Sequence, residues 1–164
     1  MTAYAGFEEF VGARRDALLR TAYLLTGDHH DAEDLVQSAL IKVVPKWGRI
    51  KDRPEPYVRR VLARESVNRW RERRWREVNA VAVPEGVHHD STDRIDHIAL
   101  LEELRTLSPR QRAVLVLRYF DDLTEAETAA ALGISVGTVK SHARDALARL
   151  RSHQSGEEQS TAAT

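Results

Sequence analysis

The stretch Leu123-Thr124-Glu125-Ala126-Glu127-Thr128-Ala129-Ala130-Ala131-Leu132-Gly133-Ile134-Ser135-Val136-Gly137-Thr138-Val139-Lys140-Ser141-His142-Ala143-Arg144 reads as two short helices with a tight turn between them. Thr124, followed three residues later by Glu127, is the pairing of a capping box, in which a hydroxyl and a carboxylate satisfy the orphan N–H groups at a helix start. Gly133 stands where a left-handed residue would close that helix, and Ser135 is placed to cap the next one. Ala129 and Gly133 are small enough for two helices to cross closely. Ile134, Val139, Ala143, Ala146, Leu147 and Leu150 recur at helical spacing and form the expected inward stripe. Val136, Gly137, Thr138, Lys140, Ser141 and Arg144 remain outside. They are short or cationic and lie toward the N-terminal half of the second helix, where a recognition helix meets base edges in the major groove. The pattern predicts a DNA-binding helix-turn-helix; the alternative is a plain helical hairpin with a solvated basic face.

The rest of the chain narrows the class. Its 164 residues suffice for one ordinary domain or two small helical ones, and a 42% hydrophobic content can supply packed cores. Eight glycines and five prolines are few, which favours helix. With no cysteine there is no disulfide framework, thiolate metal site or cysteine nucleophile. There is no apolar run of membrane-spanning length, and Met1 to Glu9 lacks the basic and apolar regions of a signal peptide. The expectation is a soluble, cytoplasmic protein.

A formal net charge of zero hides an uneven distribution. From Lys42 to Arg76 thirteen Lys or Arg stand against four Asp or Glu, a local charge of +9. From Glu77 to Arg105 two stand against seven, a local charge of −5. Concentrating positive charge in one block is how a chain builds an electrostatic footprint for a polyanion.

Hydrophobic periodicity predicts an all-α chain. Phe7, Phe10, Val11, Ala17, Leu18, Leu24 and Leu25 mark a first helix ending at Gly27. A second begins after Asp28, with Ala32, Leu35, Val36, Ala39, Leu40, Val43 and Trp47 on its stripe and an interruption near Pro45. Residues 48–56 read as a loop, and a long helix follows from Tyr57 to about Arg76. These make an N-terminal bundle, residues 1–76, whose core is too small to be very stable alone. Residues 77–95 read as an acidic flexible linker, about 60 Å long if extended. A second bundle over residues 96–151 holds a helix from Asp96 to Arg105, another from Pro109 to Phe120 capped by Ser108 with Gln111, and the helix-turn-helix. The polar tail 152–164 is expected to be disordered.

On the long helix, Tyr57, Val58, Val61 and Leu62 fall on one side of a helical wheel, and Arg59, Arg60, Ala63, Val67, Trp70 and Arg74 on the other. Guanidinium groups neutralise phosphates, and an exposed indole can stack on an unpaired base; the alternative is that Trp70 packs against a neighbouring helix. On the second helix, Asp31 and Glu33 suit the dipole of a first turn, whereas Asp34 and Gln37 lie one turn apart on the outer face, where a partner could dock. His-His-Asp occurs at 29–31 and again at 88–90, but adjacent histidines seldom share a metal and no second ligand cluster accompanies them. No phosphate loop, nucleophile elbow or isolated carboxylate pair is present. Neither an enzyme nor a metal or organic cofactor is expected.

Taken in order and spacing, several segments resemble the extracytoplasmic-function sigma factors of bacterial RNA polymerase, and look most like their actinobacterial SigE-like members. These are Leu24-Leu25-Thr26-Gly27-Asp28, Asp31-Ala32-Glu33-Asp34-Leu35-Val36-Gln37, Trp47-Gly48-Arg49-Ile50, Tyr57-Val58-Arg59-Arg60-Val61, Leu107-Ser108-Pro109-Arg110-Gln111-Arg112-Ala113-Val114-Leu115 and Gly133-Ile134-Ser135-Val136-Gly137-Thr138-Val139-Lys140-Ser141. The resemblance covers about residues 7–151. It implies that the N-terminal bundle is a sigma-2 domain and the C-terminal one a sigma-4 domain. It further implies that Asp34 and Gln37 dock on the β′ clamp helices of core polymerase, and that Arg59, Arg60, Trp70 and Arg74, more loosely Arg49 to Arg53, read and melt the minus-10 element. Val136, Thr138, Lys140, Ser141 and Arg144 would then meet the minus-35 element. Core polymerase and promoter DNA are the implied partners, with room for an anti-sigma factor. Ser38 stands where an acidic residue is common in the family, Arg64 where Asn is common, and Thr128 where a larger apolar residue is usual; the loop at Lys51 to Pro56 is shorter than usual. The competing reading is a stand-alone helix-turn-helix regulator, which would need a dimer interface to read two half-sites. No spare apolar stripe offers one.

Overall fold

The computed structural model describes residues 4–79 and 95–161, and every regular element among them is helical. The chain divides into two compact units, Met1–Thr92 and Asp93–Thr164. In the first, α1 (Phe7–Thr26) is stopped by Gly27, whose φ of 76° is the left-handed conformation that glycine adopts without steric penalty. Asp28 then caps α2 (His29–Val43), its side chain accepting a hydrogen bond of 2.9 Å from the Asp31 amide. Pro45 forces a short 3-10 turn, Val44–Lys46, before α3 (Trp47–Ile50). Leu18, Ala22 and Leu25 of α1 pack with Leu35, Val36, Ala39 and Val43 of α2, and with Val58, Leu62, Ala63 and Val67 of α4 (Pro54–Asn79). Each buried leucine or valine among them contributes about 1.5–3 kcal/mol. Trp47 closes one end of the bundle. Its indole N–H donates to the Ala5 carbonyl at 2.9 Å, and Phe7 meets its ring edge-on at 5.2 Å.

Three expectations change here. The loop predicted over residues 48–56 shrinks to Lys51–Arg53, because α3 occupies its start and α4 begins at Pro54. Both Pro54 and Pro56 lie in the first turn of α4, where no intrahelical N–H bond is lost. At its other end α4 runs to Asn79, three residues into the predicted linker. Residues 80–94, with the second His-His-Asp, lie outside the described residues. Finally, Ala63 and Val67 are buried rather than aligned with the basic face. A wheel assumes one partner, but α4 packs against both α1 and α2, so its buried arc is wider than one stripe.

In the second unit, α5 (Ile95–Arg105) leads to α6 (Pro109–Leu115), whose capping box joins Ser108 and Gln111 through two bonds of 3.2 Å. Arg112 reaches back so that its Nε donates at 2.9 Å to the Leu104 carbonyl at the end of α5, which also accepts from the Leu107 amide at 3.2 Å. Burial, and after it the nearby Arg105, lowers the pKa of that guanidinium. The helix continues from α6 as a wider π turn, Val116–Phe120, in which the Asp121 amide bonds the Val116 carbonyl. Then come α7 (Glu125–Leu132) and α8 (Val136–Thr161). Val114, Ala129 and Val139 form a buried cluster under the two helices, flanked by Leu132, Ile134 and Ala143. Leu147, expected inward, is exposed while Ala146 beside it is fully buried, so the covered stripe of α8 runs through Ala146 rather than Leu147. The tail expected to be disordered instead extends α8 to Thr161, its serines bonding back to carbonyls one turn earlier at Ala148 and Arg151 and Gln154 reaching Glu103 at 3.2 Å.

Candidate nucleic-acid interface

In the helix-turn-helix, Thr124 and Glu127 complete the capping box, with bonds of 3.1 and 2.7 Å. Gly133 turns the chain at φ 66°, and the Ile134 amide closes on the Ala129 carbonyl at 3.1 Å. Ser135 Oγ accepts from the Thr138 amide at 3.1 Å and lies 2.8 Å from the Thr138 hydroxyl. Thr138 is thereby engaged at the cap and half-buried, as is Ser141, while Val136, Lys140 and Arg144 are exposed. Lys140 and Arg144 are one turn apart on the same helix and project from one face. Both have acidic neighbours. Lys140 Nζ is 3.9 Å from Glu125 Oε2, and Arg144 Nε is 3.7 Å from Asp145 Oδ1. Glu125 went unnoticed in the sequence because it faces Lys140 only through the crossing of α7 and α8.

In the other unit, the basic residues of α4 do not act as one face. Arg59 is half-buried and pairs with Glu55 at 3.5 Å, and Arg60 is half-buried with its Nε out of water and making no hydrogen bond. About 15 Å farther along the helix, Trp70 is 41% exposed, too open for a core residue. The Arg74 guanidinium lies over its ring, 5.2 Å from the centroid, a cation–π arrangement that presents an aromatic face and a positive charge together. Arg69 and Arg73 turn the other way. Arg69 Nη2 donates to the Asp34 carbonyl at 3.2 Å and also to the Ser38 hydroxyl, and both terminal nitrogens of Arg73 lie 3.1 Å from one Asp31 carboxylate oxygen. Asp34 and Gln37 are exposed on the outer side of α2. The first His-His-Asp is divided among separate tasks: His29 stacks on Tyr23 at 4.2 Å, and Asp31 holds Arg73.

Residues 10–76 match the Sigma-70 region 2 family, and residues 97–150 match Sigma-70 region 4. The chain is 45% identical over 148 residues to the RNA polymerase sigma-E factor of Streptomyces coelicolor, covering 88% of this chain and 84% of that one. It is 32% identical over 142 residues to the ECF RNA polymerase sigma factor SigL of Mycobacterium tuberculosis, covering 82% and 80%. A solved structure with the same fold is the sigma factor RpoE from Bartonella quintana in complex with the anti-sigma factor NepR, at a TM-score of 0.69 and 24% identity, covering 89% of this chain and 94% of that one. With both regions present in order and close identity along most of its length, the chain belongs to the SigE-like extracytoplasmic-function sigma factors of RNA polymerase.

Proposed function

We propose that this sigma factor, which binds core RNA polymerase and directs promoter-specific initiation, divides that work among three surfaces. Asp34 and Gln37 on α2 dock on the β′ clamp helices of the polymerase. Trp70 and Arg74 on α4, with Arg59 and Arg60 nearer its start, engage and open the minus-10 element. Lys140 and Arg144, beside Val136, Thr138 and Ser141, read the minus-35 element in the major groove. The division of the chain follows: residues 1–76 for docking and melting, 77–95 as linker, 96–151 for minus-35 recognition.

The observation that carries this reading is the exposed Trp70–Arg74 pair. A regulator that only reads duplex DNA through a helix-turn-helix has no use for an open indole on a second, separate basic helix. A protein that captures a base once strands part does, because every base offers a π-face for stacking. Sigma factors act by recognition rather than by catalysing a reaction, so we assign no enzymatic activity, and partnership with polymerase and DNA assigns the cytoplasm. Among the described residues no helix is long and apolar enough to cross a membrane. We also include an anti-sigma factor among the partners, by analogy with the complex of the Bartonella protein.

Run-off transcription with core polymerase on a library of promoter fragments tests the function. Transcripts that start at defined sites only when the chain is added are expected. Sequence-specific duplex binding with no such transcripts would indicate a stand-alone regulator instead.

A further inference from the structure

Val67 is the last buried residue of α4 among its described side chains; those from Asn68 to Arg74 are exposed or half-buried. Among the described side chains, then, no buried apolar residue lies in the part of α4 that carries Trp70 and Arg74. What faces α2 there is polar and regular. Glu65 bonds Lys42, Arg69 bonds Ser38 and the Asp34 carbonyl, and Arg73 clasps Asp31. Positions 65, 69 and 73 are one turn apart, and their partners descend along α2 from 42 through 38 to 31, as an antiparallel pair of helices requires. Trp70 and Arg74 directly follow two of these rungs in sequence, about 100° around the helix axis. Holding 69 and 73 against α2 thus fixes the rotation at which 70 and 74 are presented.

We propose that Arg69 and Arg73 are positioning residues for promoter opening, gripping Ser38 and Asp31 of the docking helix so that Trp70 and Arg74 face the DNA, rather than phosphate-binding residues themselves. The two arginines belong to the block of positive charge, but their guanidinium groups are spent on α2. The same ladder includes the Asp34 backbone carbonyl, so a hydrogen bond from Arg69 joins the helix of the proposed docking residues to that of the proposed melting residues. This inference rests on the reading of α4 as the melting helix.

The acceptors, not the arginines, give the decisive variants, because Asp31→Asn and Ser38→Ala leave every cation of α4 in place. If Arg69 and Arg73 contacted phosphates directly, removing the Asp31 charge would leave opening unchanged or raise it, since a competing anion is gone. If they position the helix, opening falls. Holoenzyme formed at saturating core polymerase, so that docking affinity does not enter, is assayed for permanganate-reactive thymines in the minus-10 region. We expect the opening rate to fall by about three- to tenfold in each variant, with helicity by circular dichroism unchanged. An opening rate equal to or above the parent's in either folded variant overturns the proposal; should Asp31→Asn fail to fold, Ser38→Ala decides. A parent holoenzyme that opens no promoter at all would overturn the melting function itself, a separate failure.

Discussion

Trp70 and Arg74 show how exposure separates one aromatic residue from another. Trp47 is buried, with its N–H bonded and two phenylalanines against its ring, whereas Trp70 is 41% exposed with the Arg74 guanidinium over its ring. Truncating Trp70 removes little folding energy, under about 1 kcal/mol for a surface position. Trp70→Ala is therefore expected to keep duplex affinity and the fold while impairing open-complex formation by the worth of one stacked base, about 1–3 kcal/mol. Permanganate footprinting beside a thermal melt checks this, and normal opening would return Trp70 to a packing role. On α8, Lys140 and Arg144 share a face but differ in chemistry. An arginine fork addresses guanine bidentately, while a lysine supplies charge. Arg144→Ala should relax base preference at one or two minus-35 positions, and Lys140→Ala should weaken binding to all sequences and reduce the salt slope by about 1. Binding titrations over a minus-35 library at two salt concentrations separate the two outcomes. If both variants bind like the parent, this face is not the reader.

Within a single element, α7 carries an unusual feature. Thr128 is fully buried beneath the helix-turn-helix and its hydroxyl makes no hydrogen bond. Such a group bears a desolvation penalty of about 1–3 kcal/mol, which an apolar group of the same shape avoids. Thr128→Val is accordingly expected to raise stability by about 1 kcal/mol in urea unfolding, with minus-35 binding unchanged; a loss of stability would mean the hydroxyl has a partner in solution. The long helix makes a complementary point. Among the described side chains of α4, apolar burial ends at Val67, and Arg69 and Arg73 beyond it are held to α2 by charge and hydrogen bonding. Exposed pairs of that kind contribute little energy each, so they suit a segment that must be aimed more than it must be anchored.

Across the whole molecule the two units give the promoter contacts separate foundations. Docking on α2 should then be removable without touching minus-35 recognition. Asp34→Arg replaces an exposed acceptor by a cation at the proposed polymerase surface, and we expect it to abolish pull-down by core polymerase while the full chain still retards a minus-35 duplex. Unchanged capture by core would dismiss the docking assignment and leave the DNA assignment standing. Within the basic block, Lys42, Arg59 and Arg73 pair with acids of the same unit.

Local chemistry was legible from the chain alone: the stop at Gly27, the cap at Asp28, the boxes at Ser108 and Thr124, the turn at Gly133, and the exposed pair Lys140 and Arg144. Each depends on residues within one or two turns of each other, so spacing suffices to specify it. Other features depend on which helix lies opposite. Ala63 and Val67 are buried because α4 has two neighbours, the covered stripe of α8 runs through Ala146 and leaves Leu147 exposed, and Arg69 and Arg73 bond to α2 from a solvent-accessible face. Glu125 meets Lys140 through the crossing of two helices. A periodic pattern records how residues are arranged around one axis, but not how many surfaces press upon it or where they end. Those are properties of packing between segments far apart in the chain, and they separate the exposed cations from those that hold the scaffold.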